Sequence, residues 1–144
     1  MLTSKFDMQE VIDAGHPPAA QRVVCVDFDG TIFPFGNIMG EGPPIPGAAE
    51  AVRALHKAGY RVVIFTSRLS KAWHVHEGWD HDEACAEQYE YMHRMLDKYK
   101  IPHDAFTAEK IPAEAYFDDK AFRCAGEWEL KKSVREFLGE SAGL

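Results

Sequence analysis

In Arg22-Val-Val-Cys-Val-Asp27-Phe-Asp29-Gly-Thr31 a short, almost unbroken run of β-branched and apolar residues stops abruptly in charge. That is the pattern of a strand buried on both faces of a parallel sheet. Tyr60-Arg-Val-Val-Ile-Phe-Thr66 repeats it. Between the two, Ala48, Val52 and Leu55 recur at spacings of four and three, and Gly59 supplies a stop, so a helix over 47–58 completes a strand–helix–strand unit. Further along, Cys85, Tyr89, Met92, Leu96 and Tyr99 share one helical face over 82–100, ended by Ile101-Pro102. Short strands are expected around 104–107 and at Ala115-Tyr-Phe117, and Leu130, Val134, Phe137 and Leu138 mark a last helix from about Glu127, with Trp128 as its core anchor. This alternation predicts a doubly wound α/β fold with a mostly parallel sheet.

The bounds set by composition agree. At 144 residues, 46% hydrophobic and 12% aromatic, the chain suits one domain with one core. Residues 1–21 read as an N-terminal helical extension linked by Pro17-Pro18, and 22–144 as a single catalytic domain. Sixteen basic against twenty-three acidic side chains leave a net charge of −7, the wrong sign for stable binding to long nucleic acid. No apolar run suits a membrane span or signal peptide, so a cytoplasmic protein is expected. Cys25, Cys85 and Cys124 are odd in number and widely spaced, which suits reduced thiols, mostly core filler.

In open parallel sheets ligands bind beyond the carboxyl ends of the strands. Those ends deliver Asp27 and Asp29, then Thr66-Ser-Arg68, then Asp118-Asp119. Carboxylates crowded on one rim repel one another unless a cation lies among them. Oxygen donors without histidine or cysteine favour Mg²⁺ over zinc, and Mg²⁺ commonly shares its shell with substrate phosphate oxygens. A small phosphate ester is therefore the expected substrate. Gly30 permits a tight turn in which the N–H groups of Phe28 and Gly30 would add donors for phosphate.

These residues resemble a known family. Asp27-Phe-Asp-Gly-Thr31 is similar to the DxDGT motif of the haloacid dehalogenase (HAD) superfamily, Thr66 to its second motif, Lys110 to the lysine of the third, and Tyr116-Phe-Asp-Asp119 to the fourth. The motifs fall in order over residues 23–119, and the stretch from Lys110 to Trp128 resembles small phage-type and capsule-locus members. The resemblance implies a HAD-like Rossmannoid phosphatase. Asp27 would be the nucleophile that becomes an aspartyl-phosphate, and Asp29 the general acid and base. Thr66 and Lys110 would hold phosphoryl oxygens. Mg²⁺ would take the side chains of Asp27 and Asp118, the Asp29 carbonyl, and Asp119 directly or through water. The gap Ile32–Pro46 is too short for a cap domain, and the core uses most of Leu69–Glu109, so no separate cap is expected.

Other readings compete. A phosphorylation-switched receiver would carry its acidic pair after the first strand, the reverse of the order here. A silent phosphate-binding module would have no use for Asp29, and a polynucleotide end-phosphatase is disfavoured by charge. Arg68 suits either an anion contact or a turn cap. The segment Trp73 to His81 reads as a polar, aromatic-studded loop, either in substrate contact or at an interface between copies, which leaves homo-oligomerisation open, or as a plain solvated loop; a zinc site of the H-x-H type is the weaker reading.

Overall fold

The computed structural model describes residues 22–139, apart from Asn37 and Glu127. The expected N-terminal extension, 1–21, lies outside the described residues. Four strands form one all-parallel sheet in the order β3-β2-β1-β4: β1 (Arg22–Val26), β2 (Tyr60–Phe65), β3 (Ala105–Thr107) and β4 (Ala115–Phe117). The helices are α1 (Ala48–Lys57), α2 (Lys71–Glu77), α3 (His81–Lys98) and α4 (Glu129–Leu138). The α/β class read from the sequence is the one observed.

β1 sits between β2 and β4, and its residues Val23 to Val26 are all buried, as a strand covered on both faces requires. One side of the sheet packs Val24, Val26, Val62 and Ile64 against Met92, Met95 and Leu96 of α3 and Val52 of α1. The other side carries a smaller cluster of Val23, Cys25, Val63, Ala105 and Ile111. β1 and β2 pair Arg22 with Tyr60 through Val26 with Ile64, so their carboxyl ends finish together. The Thr66 N–H continues the ladder to the Thr107 carbonyl at 2.8 Å, and the Asp27 N–H reaches the Phe117 carbonyl at 2.9 Å. All the polar strand ends thus meet on one rim.

Three local expectations need correcting. Most of the supposed loop from Trp73 is the helix α2, capped by the Ser70 hydroxyl, which accepts from the Trp73 N–H, and closed by Gly78 in the left-handed conformation. Trp128 is 68% exposed with φ 81°, preceding α4 and anchoring no core. α4 itself buries none of its side chains: Leu130, Phe137 and Leu138 are all exposed. Its apolar spacing does mark a helix, but periodicity says which residues share a face and not what covers it.

Candidate active site

Asp27 stands immediately beyond β1, half-buried, with one carboxylate oxygen accepting from the Phe28 N–H at 2.7 Å. Asp118 and Asp119 follow β4, the neighbouring strand. One carboxylate oxygen from each of the three aspartates lies within 4.8 Å of the others. Burial pushes the Asp27 carboxyl up to about 7, and the nearby charges of Asp118, Asp119 and Asp29 push the same way against the Phe28 hydrogen bond. Negative charge gathered this closely calls for a cation. All three donors are hard oxygens, so they fit Mg²⁺.

The backbone is shaped for this gathering. Gly30 adopts φ 77°, and a Cβ placed there would lie 2.2 Å from Oδ2 of Asp119. Any side chain at 30 would therefore displace Asp119. The Gly30 N–H donates to the Phe33 carbonyl at 2.7 Å rather than pointing into the site, so the expectation that it offers a phosphate donor is replaced by a different part: making room for a carboxylate. Phe28, by contrast, has its N–H directed at the Asp27 carboxylate itself.

Asp29 points elsewhere. Both of its oxygens accept from Arg68, Nε to Oδ2 and Nη2 to Oδ1, each at 2.8 Å. Arg68 is 4% exposed and held on all sides. Its Nη1 donates to Gln88 Oε1 at 2.8 Å and to the Ile38 carbonyl, and its guanidinium lies 5.1 Å from the Phe28 ring and 5.0 Å from the Tyr91 ring. Sequence alone leaves Arg68 open between an anion contact and a turn cap. Its partner is a carboxylate of the site.

Thr66 is buried at the end of β2, where its hydroxyl oxygen accepts from the Arg68 N–H at 3.1 Å. An oxygen used as acceptor leaves the hydroxyl hydrogen to be donated. Lys110 is exposed and rests its ammonium 5.7 Å from the centre of the Tyr116 ring. That places it on the flank of β4. Asp118 accepts from the Lys120 N–H at 2.7 Å, a local turn that fixes its carboxylate.

Beside Asp29 opens a cleft of about 480 Å³, lined by Asp29, Ser67 and Arg68 together with Phe35, Gly36, Ile38 and Trp73. Trp73 meets Trp79 edge-on, ring centres 4.9 Å apart. The segment expected to be a loop thus does reach the cleft beside Asp29, through the first turn of a helix.

No protein-family model matches the chain, and no curated protein matches it. Among solved structures, the chain is similar to D,D-heptose 1.7-bisphosphate phosphatase from B. bronchiseptica, crystallised with magnesium and phosphate, at 18% identity and a TM-score of 0.38. The match covers 82% of this chain and 64% of the other, so the chain spans less than two thirds of that structure's length. A likeness that slight says nothing of activity.

Proposed function

We propose that this chain is a HAD-type phosphohydrolase that cleaves a small phosphate monoester through an aspartyl-phosphate on Asp27. The observation that carries the reading is the three-carboxylate cluster of Asp27, Asp118 and Asp119 at the carboxyl ends of adjacent parallel strands, with Asp29 two residues on in a separate, oriented position. One carboxylate must be unprotonated to attack; burial above all, and then the neighbouring carboxylates, raise the Asp27 carboxyl, and a bound cation would offset both. Asp27, Asp118, Asp119 and the Asp29 carbonyl would hold Mg²⁺. Bound there, the ion supplies the positive charge that neutralises Asp27 and the transferring phosphoryl oxygens.

The protein's own groups would divide the remaining work. An Asp27 oxygen attacks phosphorus while the bond from phosphorus to the leaving oxygen breaks, and Asp29 gives that oxygen its proton. Water then attacks phosphorus, Asp29 takes the water's proton, and the bond between Asp27 and phosphorus breaks to release inorganic phosphate. To do either, one Asp29 oxygen must loosen from Arg68, which otherwise holds it oriented. The Thr66 hydroxyl would donate to a phosphoryl oxygen, the Phe28 N–H would turn to another from the Asp27 carboxylate it now holds, and Lys110 would swing from the Tyr116 ring to join them. The cleft beside Asp29, walled by Phe35, Ile38 and Trp73, would take the leaving group.

A panel of phosphate monoesters, assayed with Mg²⁺ and with EDTA, tests the activity; rapid quenching with a ³²P-labelled substrate tests the intermediate. Label bound covalently to the wild type and absent from Asp27→Asn is the expected result. No hydrolysis of any monoester, or label that persists in Asp27→Asn, would overturn the reading.

A further inference from the structure

Away from the carboxylates, α2 and α3 bring a second set of chemically distinct side chains together. His74 on α2 is fully buried, Cys85 on α3 is 2% exposed, and His81, one turn before Cys85 on the same helix face, is half-buried. The Nδ1 atoms of His74 and His81 are 2.8 Å apart. The Cys85 sulfur lies 3.9 Å from His74 Nδ1 and 3.6 Å from His81 Nδ1.

The hydrogen bonds fix what each atom can do. His74 Nε2 is 2.7 Å from the Arg68 carbonyl, an acceptor only, so Nε2 carries the proton and Nδ1 of the neutral ring presents a lone pair. This is the arrangement that orients metal-binding histidines: one ring nitrogen tied to a carbonyl, the other facing the ion. For tetrahedral zinc, bonds of about 2.0–2.1 Å to nitrogen and about 2.3 Å to sulfur give nitrogen–sulfur edges near 3.6 Å and a nitrogen–nitrogen edge near 3.4 Å. The 3.6 Å from Cys85 to His81 matches that edge, and the 3.9 Å to His74 would close by about 0.3 Å. The imidazole pair would open by roughly half an ångström as the ion replaces the proton between them.

We infer that His74, His81 and Cys85 form a zinc site, with water as fourth ligand. The site is distinct from the His74-Val-His76 spacing visible in the sequence, since His76 is exposed. On binding, the Cys85 thiol loses its proton to solvent, and the His81 proton moves from Nδ1 to Nε2. Nitrogen and sulfur donors select zinc over the magnesium suited to the aspartates. The ion would pin α2 to α3 directly behind Arg68, whose carbonyl holds His74 and whose side chain holds Asp29. None of this depends on the phosphatase reading.

The test is metal analysis of the full chain, purified without chelator and dialysed, together with the absorption spectrum after cobalt substitution. About one zinc per chain is expected, with a sulfur-to-cobalt charge-transfer band in the near ultraviolet, a measurement that needs no variant. His81→Asn and Cys85→Ser, with folding checked by circular dichroism, should each weaken zinc binding by at least the 10–100-fold typical of losing a mere hydrogen-bond partner of a ligand. A wild-type chain that takes up no stoichiometric zinc and shows no thiolate band overturns the site. So does zinc retained in both variants, which would move the ion to the group of His93, Asp97 and His103.

Discussion

Arg68 and Asp29 form a two-pronged ion pair, both bonds 2.8 Å, in which the arginine is buried and the carboxylate reaches the cleft. The β1–β2 register explains how residues 39 apart in sequence meet: Arg22 pairs with Tyr60, an offset of 38, so whatever follows the two strands arrives side by side. A lysine cannot reproduce the fork. Arg68→Lys should therefore lower kcat by about 10²-fold, the scale of a misplaced catalytic group, with KM little changed. Arg68→Ala should cost about 3–5 kcal/mol of stability, because it leaves Asp29 and Gln88 without their partner. Urea denaturation and steady-state kinetics check the two, and an unaltered kcat in Arg68→Lys would detach the arginine from catalysis.

Asp29→Asn should slow turnover by about 10²–10⁴-fold, the usual share of general acid–base catalysis. The defect should shrink as the leaving group becomes more acidic, since a good leaving group needs no proton. A series of aryl phosphates of graded acidity measures this, and a constant defect would end the proton-donor role.

The pH dependence of stability follows from Asp27. Its carboxyl titrates at 3.8 when unshifted and at about 7 in the folded chain. Between those values the folded state binds more protons than the unfolded one, so stability falls as pH rises through this window and levels off above it. In metal-free protein, the stability difference between wild type and Asp27→Asn should shift steadily against the wild type from pH 4 to 7, and Mg²⁺ at pH 8 should restore part of it. Urea midpoints of both proteins across that range decide the matter; a flat difference would mean that burial and the neighbouring carboxylates do not raise Asp27.

Loss of Asp118 should be felt mainly as loss of metal. Asp118→Ala is expected to lower activity roughly a hundredfold or more, since the charge an ion stabilises is worth several kcal/mol at about 1.36 kcal/mol per decade. Raised Mg²⁺ should recover part of the activity. Activity undiminished in EDTA would remove the ion from the reading.

Trp73 lines the cleft, whereas Trp79 packs against Trp73 and His74 and lines a separate groove with Met39 and Glu87. Trp73→Ala should raise KM about tenfold, equivalent to ~1.4 kcal/mol, for the best substrate of a monoester panel and leave a minimal aryl phosphate unaffected, the signature of lost binding. Equal effects on both would mean the ring merely supports α2.

The strands are legible because a β-branched run ending in charge fits little besides a buried parallel strand, and the polar residues at their ends can be placed on one rim from parallel topology alone. α2 is not legible. Lys71–Glu77 is seven residues, too short for periodicity to register, and its Ser70 and Gly78 caps flank a histidine- and tryptophan-bearing stretch whose polarity resembles a loop. The Arg68–Asp29 pair needs the register between two strands, which no local pattern supplies. Nor can the sequence tell that His74 is fully buried, because a helix of two turns has no face until something packs on it.

Gly30 contributes no ligand atom, yet a side chain there would occupy the position of Asp119 Oδ2. Gly30→Ala would leave every carboxylate in the chain and still dismantle the place where they meet. A protein carrying all four aspartates with alanine at this position would look unchanged to any count of acidic residues and yet hold Asp119 elsewhere. What lets the three carboxylates gather is a hydrogen atom where every other amino acid has carbon.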